Sequence, residues 1–154
     1  MPSRRGSIAM TTEEQEKFIA DGWTLQVASA GPRGFPHLVA MWYVVDRSDI
    51  VFTTFRKSQK IFNLKRDPRM TAMLEAGRGY AELQGLVIEG NAELEDDVDE
   101  TARIMGLVGA KYNGIPVATD TPEETLKAAS KRMVVRIRPD RVYSWDHTKL
   151  GGRY

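Results

Sequence analysis

Three turn signals divide most of this chain into runs of β-forming residues, and their spacing leaves few folds open. Gly31-Pro32-Arg33-Gly34 separates residues 23–30 from residues 35–45, a long run rich in β-formers, and predicts a hairpin. Asp46-Arg47-Ser48-Asp49 then turns the chain into Ile50-Val51-Phe52-Thr53-Thr54-Phe55, and Gly77-Arg78-Gly79 joins residues 69–76 to residues 80–95. Gly85 and Gly90 fall inside that last and longest run, where glycine marks bulges that bend a strand. Towards the end, residues 131–139 alternate Met133, Val135 and Ile137 with basic residues, the pattern of a half-exposed strand that residues 141–145 extend. Six antiparallel strands with bent members predict an α+β fold in which the sheet curls into a closed or split β-barrel flanked by helices.

The helices read from their ends. Thr11-Thr12-Glu13-Glu14-Gln15 opens one, with a capping box from Thr12 to Gln15, and Asp21-Gly22 closes it. Glu95-Asp96-Asp97-Val98-Asp99-Glu100 leads into a second that runs to about Tyr112, its acidic residues suiting a helix N-terminus. Thr121-Pro122-Glu123-Glu124 starts a third, with proline at the first helical position. Residues 1–10 read as a flexible tail in which Met10 offers an alternative start, and residues 11–154 as a single domain.

A short helix from Ser58 to Asp67-Pro68 carries the most specific chemical signal. Ser58 is placed to cap its first N–H groups. A helix start carries partial positive charge and favours acidic residues by roughly 0.3–1 kcal/mol each, yet Arg56, Lys57 and Lys60 gather here. That arrangement becomes favourable when a phosphate or carboxylate draws on amides, hydroxyl and ammonium together. A solvated basic loop is the alternative.

Composition narrows the rest. A chain of 154 residues with 42% apolar content buries a core without disulfides or a structural metal. Cysteine is absent, which removes thiol catalysis and zinc–thiolate sites, and with two histidines no metal centre is expected. The net charge of +1 marks no nucleic-acid binder, and no apolar run approaches a membrane span, so the reading is cytoplasmic, without nucleic acid or membrane as partner.

The succession Phe52-Thr53-Thr54, Ser58-Gln59-Lys60, Asn63-Leu64-Lys65-Arg66-Asp67-Pro68-Arg69 and Gln84-Gly85 resembles the pyridoxamine 5'-phosphate oxidase-like FMN-binding split barrels. Within them it is similar to the flavin/deazaflavin oxidoreductases that use coenzyme F420, a likeness strengthened by Trp145-Asp146-His147-Thr148-Lys149-Leu150-Gly151-Gly152. The resemblance implies a six-stranded split barrel, a homodimer with two cofactor sites at its interface, and an F420-dependent reductase of a small conjugated substrate. It places His37, Leu38, Val39, Ala40, Met41 and Trp42 along the flavin-like ring, with Phe52, Thr53 and Thr54 flanking it. Ser58, Gln59 and Lys60 would hold the phosphate and Asn63 would support their loop. Gln84 would reach the cofactor from a facing strand, and Tyr80 and Trp145 would cover it from the partner subunit. An acidic cofactor tail would engage Arg56, Lys57 and Arg78.

Gln59 stands where the pyridoxamine-phosphate oxidases keep an arginine, and their carboxy-terminal arginine and histidine signature is missing, which argues against vitamin B6 oxidation. Hydride chemistry of this kind resides in the cofactor, so the protein supplies position, shielding and at most a proton, from Tyr43, Tyr80, His147 or solvent. Two alternatives share the fold: an FMN-binding oxidoreductase, and a cofactor- or haem-binding barrel with His37 or His147 as axial ligand.

Overall fold

A computed structural model of the chain describes residues 3–152. Seven antiparallel strands build one sheet: β1 (Leu25–Ala30), β2 (Pro36–Met41), β3 (Val44–Asp46), β4 (Asp49–Phe55), β5 (Arg69–Ala76), β6 (Gln84–Glu95) and β7 (Arg132–Asp146), in the spatial order β2-β1-β5-β6-β7-β4-β3. The split-barrel expectation holds, with one strand more than the six expected. Residues 35–45 do not run on as one strand but part at Trp42 and Tyr43, so that β2 pairs with β1 and β3 with β4.

Burial follows the alternation of side chains along each strand. Leu25 and Val27 of β1, Phe52 of β4, Leu74 of β5, Leu86 of β6 and Ile137 of β7 meet inside the curled sheet, where Ile61 and Leu64 of the helix α3 (Gln59–Arg66) plug one end. A smaller cluster of Val44, Val51, Ile104 and Val134 lies on the outer face. There the sheet is covered by a long helix, residues Val98–Asn113, called α4 once the two shorter amino-terminal helices, α1 (Arg4–Ser7) and α2 (Thr12–Asp21), are counted.

Of the two glycines of β6, Gly90 marks the irregularity between β6 and β7, where Asp140 is the extra residue on β7. The register slips between Glu89 and Gly90, opposite Pro139, and a Cβ on Gly90 would stand 2.3 Å from the Arg138 carbonyl oxygen. Pro139 has no N–H to donate and is tolerated at such an irregularity. Gly85, expected to bend the strand as well, stays in regular pairing with Trp145. Its missing side chain instead makes room for the Trp145 indole, 1.9 Å from where a Cβ would lie.

Two helix starts differ from expectation. The capping box of α2 sits one residue earlier, with Thr11 Oγ1 accepting from the Glu14 amide at 3.2 Å and Glu14 accepting from the Thr11 amide at 2.8 Å. Pro122 is the N-cap of α5 (Glu123–Ala129) and lies just outside the helix. The amino-terminal segment is also more ordered than a tail. The Ile8 carbonyl accepts from the Asp146 amide at 2.7 Å, the Met10 amide donates to Ser144 Oγ at 3.0 Å, and Met10 is buried. Residues 1 and 2 of that tail lie outside the described residues.

The acidic run before α4 acts as a set of anchors. Asp97 caps the helix by accepting from the Glu100 amide at 2.8 Å, while Glu95 and Glu100 turn to arginines. Arg136 of β7, 3% exposed, stands among Asp46, Asp49, Glu95 and Glu100, and Arg103 of α4 forms a two-pronged pair with Asp46 at 2.8 and 3.0 Å. The hydrogen bond from Arg103, joined by Arg136, holds the Asp46 carboxyl well below the usual carboxylate range against the opposing effect of burial. This network fixes the first half of α4 over β3, β4 and β7.

Candidate functional site

The site grows from the end of β4. Its alternation turns Phe52 and Thr54 inward and leaves Thr53 and Phe55 facing out. Phe52 is 0% exposed in the main core, so of the expected flanking trio it offers a ligand only backbone. Thr53 lines a cleft of about 500 Å³ together with Thr24, Ala40, Met41, Trp42, Val108 and Arg132. The end of β2, the residue after it and α4 thus form its walls.

Directly past Phe55 the chain enters α3. Ser58 is the N-cap with extended backbone, but its side chain makes no capping bond and lies 3.3 Å from Thr54 Oγ1. The first turn of α3 holds no acidic residue. Lys60 folds back and donates from Nζ to Thr54 Oγ1 at 2.8 Å. Partial burial lowers the Lys60 pKa, and the nearby positive charge of Arg132 lowers it further. Arg132 lies opposite Phe55 in the sheet with its guanidinium 4.1 Å above the Phe55 ring. Among the described residues neither Lys60 nor Arg132 forms an ion pair with a carboxylate. Two neighbouring cations, the Ser58 hydroxyl and uncapped amides form a site whose chemistry fits a phosphate.

The other expected residues divide. Arg56 is committed to Asp96 at 2.7 Å. Lys57 is exposed. Gln59 donates to Asn63 Oδ1 at 2.8 Å, and the wholly buried Asn63 donates to Ser29 Oγ at 3.1 Å, so this pair ties α3 to β1. On β2, Val39 and Met41 pack inward while Leu38 is 65% exposed. His37 sits opposite Ser29, beyond the cleft residues, and its Nδ1 is buried without a hydrogen-bond partner. Of Trp42 and Tyr43, expected on opposite faces, Trp42 lines the cleft. Tyr43 is buried with its hydroxyl donating to the Ile19 carbonyl, and burial pushes its pKa upward, which removes it as a proton donor.

Tyr80, Gln84 and Trp145 do not join this cleft in the same chain. Arg132 and Trp145 lie at opposite ends of β7, a contour of about 40 Å at 3.3 Å per residue. Gln84, expected to reach in from a facing strand, instead hydrogen-bonds Asp146, which it pairs with across β6 and β7. Tyr80 packs its ring 4.7 Å from that of His147, whose Nδ1 lies 2.7 Å from the Tyr80 carbonyl.

Sequence reading missed Arg132, Thr24 and Val108. Each enters through sheet register or helix packing across many residues, and only the basic pattern at Lys131-Arg132 hinted at the first.

The chain matches the pyridoxamine 5'-phosphate oxidase family over residues 11–146. Its fold is similar to that of the conserved protein Rv2991 of Mycobacterium tuberculosis, with a TM-score of 0.90 and 38% identity over 99% of this chain and 95% of that one. An F420 reductase (TM-score 0.64, 22% identity, 82% of this chain and 94% of that one) shares the fold. So does an FAD-binding protein of Mesorhizobium loti (TM-score 0.66, 16% identity, 88% and 94%). No curated protein matches the chain.

Proposed function

Because the chain belongs to the pyridoxamine 5'-phosphate oxidase family, we propose that it is an oxidoreductase that binds coenzyme F420 and reduces a small conjugated organic substrate. The observation that carries this reading is the pair of half-buried cations without carboxylate partners, Lys60 and Arg132, at the uncapped start of α3 and beside the Trp42 cleft. Lys60, Arg132 and Ser58 hold the phosphate. The end of β2 from Ala40 to Trp42, with Thr53 and Val108, gives the ring an apolar wall that excludes water. When bound, the cofactor supplies the hydride.

The chain's own residues constrain the proton. Tyr43 is sealed in the core, the Tyr112 hydroxyl is held by backbone groups, and Tyr80 and His147 lie at the other end of β7. The proton therefore comes from solvent or from Tyr80 or His147 of a second copy. A homodimer brings that end of the partner to the cleft, and the exposed Phe35, Leu38 and Phe62 give it apolar surface to cover.

FMN is the second reading, favoured by one observation. Arg56 is occupied by Asp96, which leaves Lys57 as the near cation for an acidic tail. Titrating the purified protein with F420 and separately with FMN, followed by tryptophan fluorescence, separates the two. Tighter F420 binding is expected. Tighter FMN binding moves the assignment to flavin, and binding of neither refutes both.

A further inference from the structure

The pairing of β1 with β2 ends at Leu25 and Met41. Where the next rung would stand, a side chain from α4 takes its place. The Tyr112 hydroxyl donates to the Trp23 carbonyl at 2.8 Å, with the Tyr43 carbonyl at 3.1 Å, and accepts from the Tyr43 amide at 3.0 Å. Its one hydrogen, facing both carbonyls, and one lone pair are thereby engaged by backbone flanking both strands. The same residue's ring lies against Trp42, centroids 4.5 Å apart and planes 11° apart, and tilts against Trp23 at 4.6 Å.

Trp42 needs such support. It follows the last paired residue of β2, so no sheet hydrogen bonds fix its backbone, and its side chain is 48% exposed on the cleft wall. Tyr112 holds it from both sides of the problem, by clamping the residue after it and by stacking on its ring. At its other end α4 is held by Arg103 on Asp46, and Val108, between the two anchors, lines the cleft. The helix is thus fixed at two points with the cleft between them.

We infer that Tyr112 is a positioning residue: it sets where the Trp42 indole stands and so shapes the side of the cleft that receives the substrate. The kind of ligand rests on the cofactor reading above, whereas the placement of Trp42 does not. Among the described residues Tyr112 forms no hydrogen bond or ring contact with Ser58, Lys60 or Arg132, which predicts an effect on substrate and not on cofactor affinity.

The test uses Tyr112→Phe, which keeps the ring and loses the clamp. In the apoprotein, acrylamide quenching of Trp42 is isolated by difference from Trp42→Phe in each background. Loss of the clamp is expected to raise it about twofold, in keeping with removal of a bond that orders the wall. Unchanged quenching overturns the inference, even if the protein binds no cofactor at all. With reduced F420 as the hydride donor, oxidised to F420 as it reduces menadione to the hydroquinone, the KM for menadione is expected to rise about fivefold while kcat and the F420 Kd stay within about twofold. An unmoved KM, or a parallel loss of cofactor affinity, also overturns it. If the wild type binds neither F420 nor FMN, the cofactor reading falls and the quenching result alone decides on Tyr112.

Discussion

Two arginines of β7, four residues apart, stand in opposite circumstances. Arg136 is buried among Asp46, Asp49, Glu95 and Glu100 and joins α4 to three strands. Arg132 shares its surroundings with Lys60, a second cation, and has only the Phe55 ring beneath it. Charge with partners inside a protein acts as structure, because removing one member strands the others away from water. Charge gathered without partners disfavours folding slightly, and it makes sense where a ligand supplies the missing anion. Arg136 is buried and Arg132 half-buried, but the sharper difference between the two clusters is whether the charge has a partner.

The contrast breaks most visibly at Arg136. Arg136→Met takes the ion-pair partner of Glu95 and leaves Asp46 to Arg103 and Asp49 to Arg138, and we expect a loss of about 3–5 kcal/mol in denaturant unfolding. A loss below about 1 kcal/mol would show that the network relaxes without it.

The same cluster sets an acid limit. Asp46 is held below its ordinary value of 3.8, so its contribution is complete above that value and is lost as pH falls towards the folded-state pKa. Glu100, lowered chiefly by its hydrogen bond to Arg103, adds in the same direction below its ordinary 4.5. The melting temperature should therefore fall as pH drops from about 5 to 2. Asp46→Asn should lower it at neutral pH and flatten that slope, which thermal melts across the range would check.

Arg132→Ala should behave in the opposite manner. Stability stays level or rises slightly, while affinity for the phosphorylated cofactor falls about tenfold in a calorimetric titration. Because Lys60 already titrates below its ordinary 10.5, that affinity should also decline as pH rises towards the lysine range, and Lys60→Arg should remove the decline. The smallest effect belongs to Arg56→Ala. Its partner Asp96 is exposed, so stability should hardly change. FMN affinity should hardly move, whereas a clear loss of F420 affinity alone would show that Arg56 leaves Asp96 for the acidic tail.

Where local chemistry decided the structure, the sequence was legible. β5 was read to the residue, because Pro68 and Gly77 bound an alternating run of buried Met70, Ala72 and Leu74. The candidate anion site was legible in Ser58 and Lys60 for the same reason, since a helix start with cations and no acid is a local contradiction. The break at Trp42 and Tyr43 was not, because it depends on a tyrosine hydroxyl about 70 residues further along, and no propensity of the strand itself announces it. The surroundings of Arg56 and Arg132 depend on the same kind of distance. Asp96 claims the first from 40 positions away, and sheet register sets the second opposite Phe55. The place of Gln84, opposite Asp146, was not legible either, because only the pairing of β6 with β7 sets it.

The most direct measurement is a pair of titrations by calorimetry, F420 into the wild type and into Lys60→Ala, with denaturant unfolding of both proteins alongside. We predict a fall in affinity of about tenfold or more with no loss of stability. Equal affinities, or a variant that loses stability and binding together, would contradict the claim that the unpaired cations of this barrel exist to hold a ligand's phosphate.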